Sequence, residues 1–237
     1  MVKEKTPQEM YEFIIHESIP GHLNYIKEGM LSSKGSLYTR YRTLAVLEWH
    51  LHQDKEKFKA HLKTALAYER ERFTEFHAEN PTIWYQCPTN FARTTLLTGD
   101  FSYAQTYSVF LDDHHDPKAD VFEPWTYYVL MYLLLGRYED VLEFNMDKLK
   151  KSYERKMYEK IRPRYGLYEA LVNKDTVSFH SHLEQLAKTH KGTGNLFLDY
   201  EDRLLCVTGL ALTNLALGRG MNIDFDHPFV PRALMGA

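Results

Sequence analysis

Leu51-His52-Gln53-Asp54, with Phe58 shortly after it, is the first of four similar stretches in this sequence. In each stretch an apolar helix pattern ends, a short polar turn follows, and a new helix begins with an apolar residue soon after. The other three are Leu97-Thr98-Gly99-Asp100 with Ala104, Leu135-Gly136-Arg137 with Val141, and Val172-Asn173-Lys174-Asp175 with Phe179. The new helices start at 54, 100, 137 and 175, close to the period of stacked helical hairpins of the tetratricopeptide kind.

The sequence around these turns also predicts helices. Thr6-Pro7-Gln8-Glu9 combines an N-cap, a proline at the first helical position and a capping-box glutamate, and Pro20-Gly21 is expected to break the helix that begins there. Alternating runs of valine and isoleucine, from which a sheet could be built, are almost absent. Further helices are predicted over 36–53, 55–79, 88–98, 101–112, 121–135, 138–150, 153–172, 176–190 and 200–218.

These patterns predict an all-α fold of stacked antiparallel helical hairpins, a degenerate tetratricopeptide-like array. No Gly/Ser-rich linker divides the 237 residues, so we expect one all-helical domain over 1–237. Only the segment from Met221 to Pro231 looks extended. Because Ile223 to Leu234 is too apolar to trail in water, this C-terminal tail should cover the helices as a lid.

Charge and hydropathy exclude several classes of partner. The net charge is −3, so no basic surplus points to nucleic acid or to an anionic membrane surface. The longest apolar runs, Trp125–Leu135 and Leu204–Leu217, are shorter than the roughly 20 residues that a membrane span needs. No apolar signal-peptide core follows the charged N-terminus. The two cysteines, Cys87 and Cys206, lack a CxxC spacing and are expected to be reduced and buried in a cytoplasmic protein.

One stretch has the residues of a zinc hydrolase. His16-Glu17-Ser18-Ile19-Pro20-Gly21-His22 resembles the His-Glu-x-x-Pro-Gly-His signature of a family of bacterial zinc-peptidase-like proteins, in which imidazoles hold the metal and a carboxylate takes a proton from bound water. In a continuous helix, six residues would rotate His22 by about 240° away from His16. Only a break at Pro20-Gly21 could bring the two together, and the alternative is an ordinary helix end.

A second polar stretch is Asp112-Asp113-His114-His115-Asp116. It could ligate a metal if the loop folded for that purpose, or it could be a solvated loop between helices. With the acids that follow, it forms an acidic patch on a nearly neutral protein, which favours the docking of a basic partner over the binding of a metal. The candidate partner-binding residues are therefore Asp112, Asp113, Asp116, Asp120 and Glu123.

The C-terminal third has two further patterns. One runs from Tyr168 to Asp175 and continues with Phe179 and Leu183; the other is an apolar helix over Leu204–Leu217, an Arg219-Gly220 turn, and a tail with Asp226-His227-Pro228 and Pro231-Arg232-Ala233-Leu234. Together they resemble the immunity protein 49 family of bacterial polymorphic-toxin immunity proteins. The resemblance implies an inhibitor that binds a cognate toxin effector protein in the cytoplasm, with no catalytic residue and no cofactor.

Three hypotheses follow. The first is an immunity protein that neutralises a toxin by direct contact and is not an enzyme. The second is a zinc-dependent hydrolase that uses His16, Glu17 and His22, and the third is a helical-repeat adaptor with another protein partner. The sequence leaves the oligomeric state open.

Overall fold

The computed structural model describes residues 5–30, 32–77, 87–106, 108, 129–143, 150–151, 153–190 and 200–236. In these residues the regular structure is helical, and the β-type pairing is confined to an isolated bridge between His227 and Val230. The predicted all-α class is therefore confirmed. The chain divides into two compact units, Met1–Pro81 and Thr82–Ala237, which are described separately, and the expectation of one domain over 1–237 stays a prediction.

The first unit begins with a helix that changes its winding. Helix α1 (Pro7–Phe13) passes into a π-helical turn over Ile14–Ser18 and then into α2 (Ile19–Lys27). At the start of α1 the predicted capping box is present. The Glu9 amide donates to Thr6 Oγ1 at 3.2 Å and the Thr6 amide donates to Glu9 Oε2 at 2.7 Å. Two amides at the helix start, which have no partner within the helix, are thus satisfied.

The predicted break at Pro20-Gly21 was wrong, because both residues lie inside α2. A proline in a helix lacks an amide hydrogen and its ring collides with the carbonyl four residues earlier. Here the wider π-helical turn precedes the proline, and the Ile19 amide donates to Ile14 O, five residues back. The widened turn accommodates the ring, so the helix continues to Lys27.

Two long antiparallel helices complete the first unit. Helices α3 (Ser33–His52) and α4 (Lys55–His77) pack along their lengths, and α3 also contacts α1 and α2. The pair buries a continuous apolar core, as the helical spacing of these residues predicts. Its members include Leu37, Leu44, Leu47, Phe58, Leu62 and Leu66.

The second unit is a set of shorter helices. Helix α5 (Cys87–Thr98) is followed by helical residues 129–134, α6 (Tyr138–Glu143), a 3₁₀ turn over Lys156–Ile161, α7 (Pro163–Asn173) and α8 (Thr176–His190). A 3₁₀ turn over Tyr200–Arg203 precedes α9 (Val207–Gly218), and another covers Arg232–Leu234. Helix α9 contacts α5, α7 and α8, so it is the centre of this unit. No helix in the described parts of the chain is long and apolar enough to cross a membrane.

Two helix starts in this unit differ from the prediction. The helix expected from 153 begins at Pro163, because a proline is favoured at the first helical position and disfavoured further in. The helix expected from 200 begins only at Val207. The Cys206 amide donates at 2.8 Å to Phe229 O in the tail rather than to a helical carbonyl, so a contact with a distant segment sets this boundary.

The four predicted turns share one backbone feature. Just before each predicted helix start stands a residue in the left-handed region, with φ of 55° at Gln53, 69° at Gly99, 73° at Gly136 and 54° at Lys174. A left-handed residue is the usual way to end a helix and reverse the chain. The apolar residues after the turns, Phe58, Ala104, Val141 and Phe179, are all buried. The repeated turns are therefore confirmed, whereas a tetratricopeptide-like stacking of the hairpins stays a prediction.

Candidate functional site

The predicted acidic patch cannot be placed. Asp112, Asp113, Asp116, Asp120 and Glu123 all lie outside the described residues, as do His114 and His115. Their proposed contact with a basic partner therefore stays a prediction.

The residues of the zinc hypothesis lie on the continuous α1–α2 helix without forming a cluster. His16 is largely exposed, and its Nε2 atom lies 3.0 Å from Glu12 Oε2, one turn earlier. The ring of His22 instead faces Tyr25, with 6.1 Å between ring centroids, and burial lowers the pKa of His22. Within the described ranges, no three histidine, cysteine, aspartate or glutamate side chains are grouped closely enough to hold a metal ion.

The entry to α9, from the 3₁₀ turn at Tyr200–Arg203 to Cys206, contains buried polar groups in the second unit. Arg93 of α5 donates from Nη1 to Asp202 Oδ2 at 2.9 Å, and both side chains are buried. Cys206, four residues on, is a free buried thiol, as expected, and burial raises its pKa to about 11. This buried ion pair joins α5 to the entry of α9 across 109 residues of sequence.

The C-terminal tail packs on α8 and α9. Ile223, Phe225, Val230 and Leu234 are buried and Phe229 is half-buried, so the predicted lid is confirmed. The ring of Phe225 lies edge-on to His180, and that of Phe229 lies 4.8 Å from His190. The Gly236 amide also donates to Asn214 Oδ1 at 3.1 Å.

A polar site that the sequence analysis did not identify lies in the first unit. Glu48 of α3 is only 2% exposed, although it stands in the apolar run Leu44–Leu51. Tyr11 donates from its hydroxyl to Glu48 Oε1 at 2.5 Å. Burial, together with this hydrogen bond to the carboxylate, raises the pKa of Tyr11 to about 12. A charged residue inside an apolar helical run was the available signal, since such a residue is buried only for a specific partner or purpose.

Three half-buried rings lie beside this carboxylate. Tyr41 of α3 stacks on Tyr68 of α4 with 5.7 Å between centroids and 14° between planes. The Tyr41 ring is also 6.1 Å from the His61 ring, and His61 Nε2 is 3.8 Å from Glu48 Oε1. The rings therefore form a row that ends at the carboxylate. We call Tyr41, Glu48, Lys57, His61 and Tyr68 the Glu48 cluster.

Comparison with known proteins identifies the second unit. Neither a curated protein nor a solved structure matches the chain. The family model described as immunity protein 49 matches residues 101–234, more than half of the chain. The matched range contains α6 to α9 and the tail, and the sequence resemblance lies in its part from Tyr168 to Leu234. This protein therefore belongs to the immunity protein 49 family.

Proposed function

We propose that this protein binds a cognate toxin effector and neutralises it by direct protein–protein contact, without catalysing a reaction. The observation that carries the proposal is the family match over residues 101–234. An inhibitor of this kind must stay bound at cellular concentrations, which requires nanomolar or tighter affinity, about 12 kcal/mol. Such interfaces combine aromatic anchors with charge complementarity that speeds encounter.

The proposed toxin-binding region includes the acidic patch. Between Asp112 and Glu123 the sequence has five acids and one lysine, Lys118, in a chain whose net charge is only −3. Toxins that attack nucleic acids need a basic cleft to hold phosphates, and an acidic loop could occupy that cleft. The proposed place of action is the cytoplasm of the cell that makes the toxin.

The first experiment tests neutralisation itself. The toxin encoded by the adjacent gene is expressed with and without this protein, and a catalytically inactive toxin variant is used to measure binding. We expect survival only with co-expression, and a nanomolar complex of the purified proteins. Toxicity that this protein does not relieve, together with no complex, would refute the proposal.

The second experiment tests the acidic patch. All five acids are replaced by serine, and association with the inactive toxin is followed at low and high salt. We expect slower association with a weaker salt dependence, because long-range attraction between charges is screened by salt. A control with the same change in charge replaces five exposed acids elsewhere by glutamine: Glu17, Glu28, Glu56, Glu169 and Glu184. If the two variants change the association rate equally, or if the serine variant does not change it, the toxin interface lies outside the patch.

A further inference from the structure

The Glu48 carboxylate is incompletely satisfied. Its Oε1 atom accepts the hydrogen bond from Tyr11, whereas Oε2 is buried without a hydrogen-bond partner. The nearest cation, Lys57 Nζ, is 3.9 Å from Oε2, and His61 Nε2 is 3.8 Å from Oε1. Both distances exceed a hydrogen bond. A carboxylate taken out of water normally requires several close donors, so this one has capacity for a further donor.

Lys57 is the exposed member of the Glu48 cluster and is held loosely. Its side chain is 60% exposed, and it is also 3.9 Å from Asp54 Oδ2. An exposed lysine at such distances gains little from its ion pairs and can swing away at small cost. Burial lowers the pKa of His61, although Glu48 opposes this shift, so the imidazole does not add a competing charge at neutral pH. A cation that displaces the Lys57 ammonium therefore pairs with a carboxylate that has one buried oxygen unsatisfied.

The row of rings favours a guanidinium group over an ammonium group as the cation that pairs with Glu48. Tyr41 and Glu48 are seven residues apart on α3, and His61 and Tyr68 are seven apart on α4, so each pair lies on one helix face. A cation bound at Glu48 would therefore lie next to the end of this row of rings. A guanidinium group stacks on aromatic rings and donates two parallel hydrogen bonds to a carboxylate, whereas an ammonium group does neither as well.

We propose that the Glu48 cluster binds an arginine side chain of the toxin, with the guanidinium donating to Glu48 and lying against the end of the row of rings. This inference rests on the proposed function and assigns a contact to the first unit, which lies outside the family match. The arginine displaces the Lys57 ammonium from its position beside Glu48 Oε2. Lys57 thus occupies the site while the partner is absent.

The first arm of the test uses a peptide and does not need the toxin. An acetylated and amidated Gly-Arg-Gly peptide is titrated into the isotopically labelled full-length protein and followed by NMR, beside a peptide in which neutral citrulline replaces arginine. We expect millimolar binding of the arginine peptide only. Glu48→Gln should weaken it at least about tenfold, as loss of a charge-assisted hydrogen bond does, whereas Glu56→Gln, an exposed acid on α4, should not change it.

Lys57→Met is the diagnostic variant, because a purely structural role of Glu48 would not predict a gain. Removing the competing cation should tighten arginine-peptide binding by up to about fivefold, the range that an exposed ion pair allows. The Lys57→Met result and the citrulline comparison decide the question even if Glu48→Gln fails to fold. Equal binding of the two peptides, or Lys57→Met binding no tighter than wild type, would overturn the inference.

The second arm uses the inactive toxin from the adjacent gene. Glu48→Gln should accelerate dissociation of the complex about tenfold, since truncating a buried charge contact acts mainly on the off-rate. If wild type and Glu48→Gln dissociate equally, the arginine contact is refuted and the proposed function stands. If the wild-type protein forms no complex at all, the proposed function falls.

Discussion

The contact between α7 and α8 leaves no space for a side chain at Gly166. A Cβ atom built there would lie 2.4 Å from Cδ2 and Nε2 of His182 and 2.5 Å from its Cε1. These distances are about 1 Å shorter than the 3.4 Å at which ordinary contact begins. The His182 Nδ1 atom is itself buried, so the ring is enclosed on more than one side. Gly166→Ala therefore requires α7 and α8 to separate or the ring to leave its position.

Two opposing effects determine how much Gly166→Ala changes the free energy of unfolding. Alanine is favoured over glycine within a helix by about 1 kcal/mol. Overpacking of a close contact costs about 1–3 kcal/mol, and this contact meets three ring atoms at once, so the upper part of that range applies. We expect Gly166→Ala to lower the free energy of unfolding by about 1–2 kcal/mol. For a chain of this length, the melting temperature should fall by about 2–4 °C per kcal/mol.

Urea unfolding followed by far-ultraviolet circular dichroism measures this change. Gly218→Ala is the matched control, because nothing lies within 4 Å of a Cβ atom at Gly218 near the end of α9, and it should be neutral or stabilising. In a His182→Ala background the ring is gone. Adding Gly166→Ala to that background should therefore lower the free energy of unfolding much less than it does in the wild-type protein. A Gly166→Ala protein as stable as wild type would show that the hairpin has room, and would refute the reasoning.

Three other predictions concern the tail, the histidines and the buried thiol. Deleting residues 222–237 removes five buried apolar side chains and should lower the melting temperature by at least about 10 °C, and an unchanged value would show that the tail is not packed. Burial holds the pKa of three histidines, His22, His61 and His190, below the value of about 6.5 that they have in the unfolded chain. The unfolded state therefore binds more protons than the folded state as the pH falls below about 6.5. The free energy of unfolding, measured by urea titration, should therefore be higher at about pH 7.5 than at about pH 5.5, and equal values at the two pH values would contradict this. The thiol of Cys206, tested in a Cys87→Ala background, should react with a thiol reagent only after unfolding, and equal rates in the native and unfolded protein would contradict its burial.

Local sequence determined most of the helical architecture. The capping box at Thr6 and the four turns depend on residues within a few positions of one another, and each was predicted in place. Gln53 and Lys174 adopt the left-handed conformation as Gly99 and Gly136 do, so the position of the turn, and not the presence of glycine, is what the repeated pattern predicted. The family was also identified from sequence, because its closing pattern is contiguous. The acidic patch at 112–123 stays a prediction.

Tertiary structure decided the features that depend on distant partners. Helix α9 begins late because the Cys206 amide donates to Phe229 O in the C-terminal tail. The Glu48 cluster likewise forms only where α3 and α4 pack together with Tyr11 of α1 beside them, and in the sequence Glu48 is only a charged residue in an apolar run. Local patterns report the backbone preferences of neighbouring residues. The environment of a buried polar group depends instead on side chains brought together from separate helices, which only the packed structure shows.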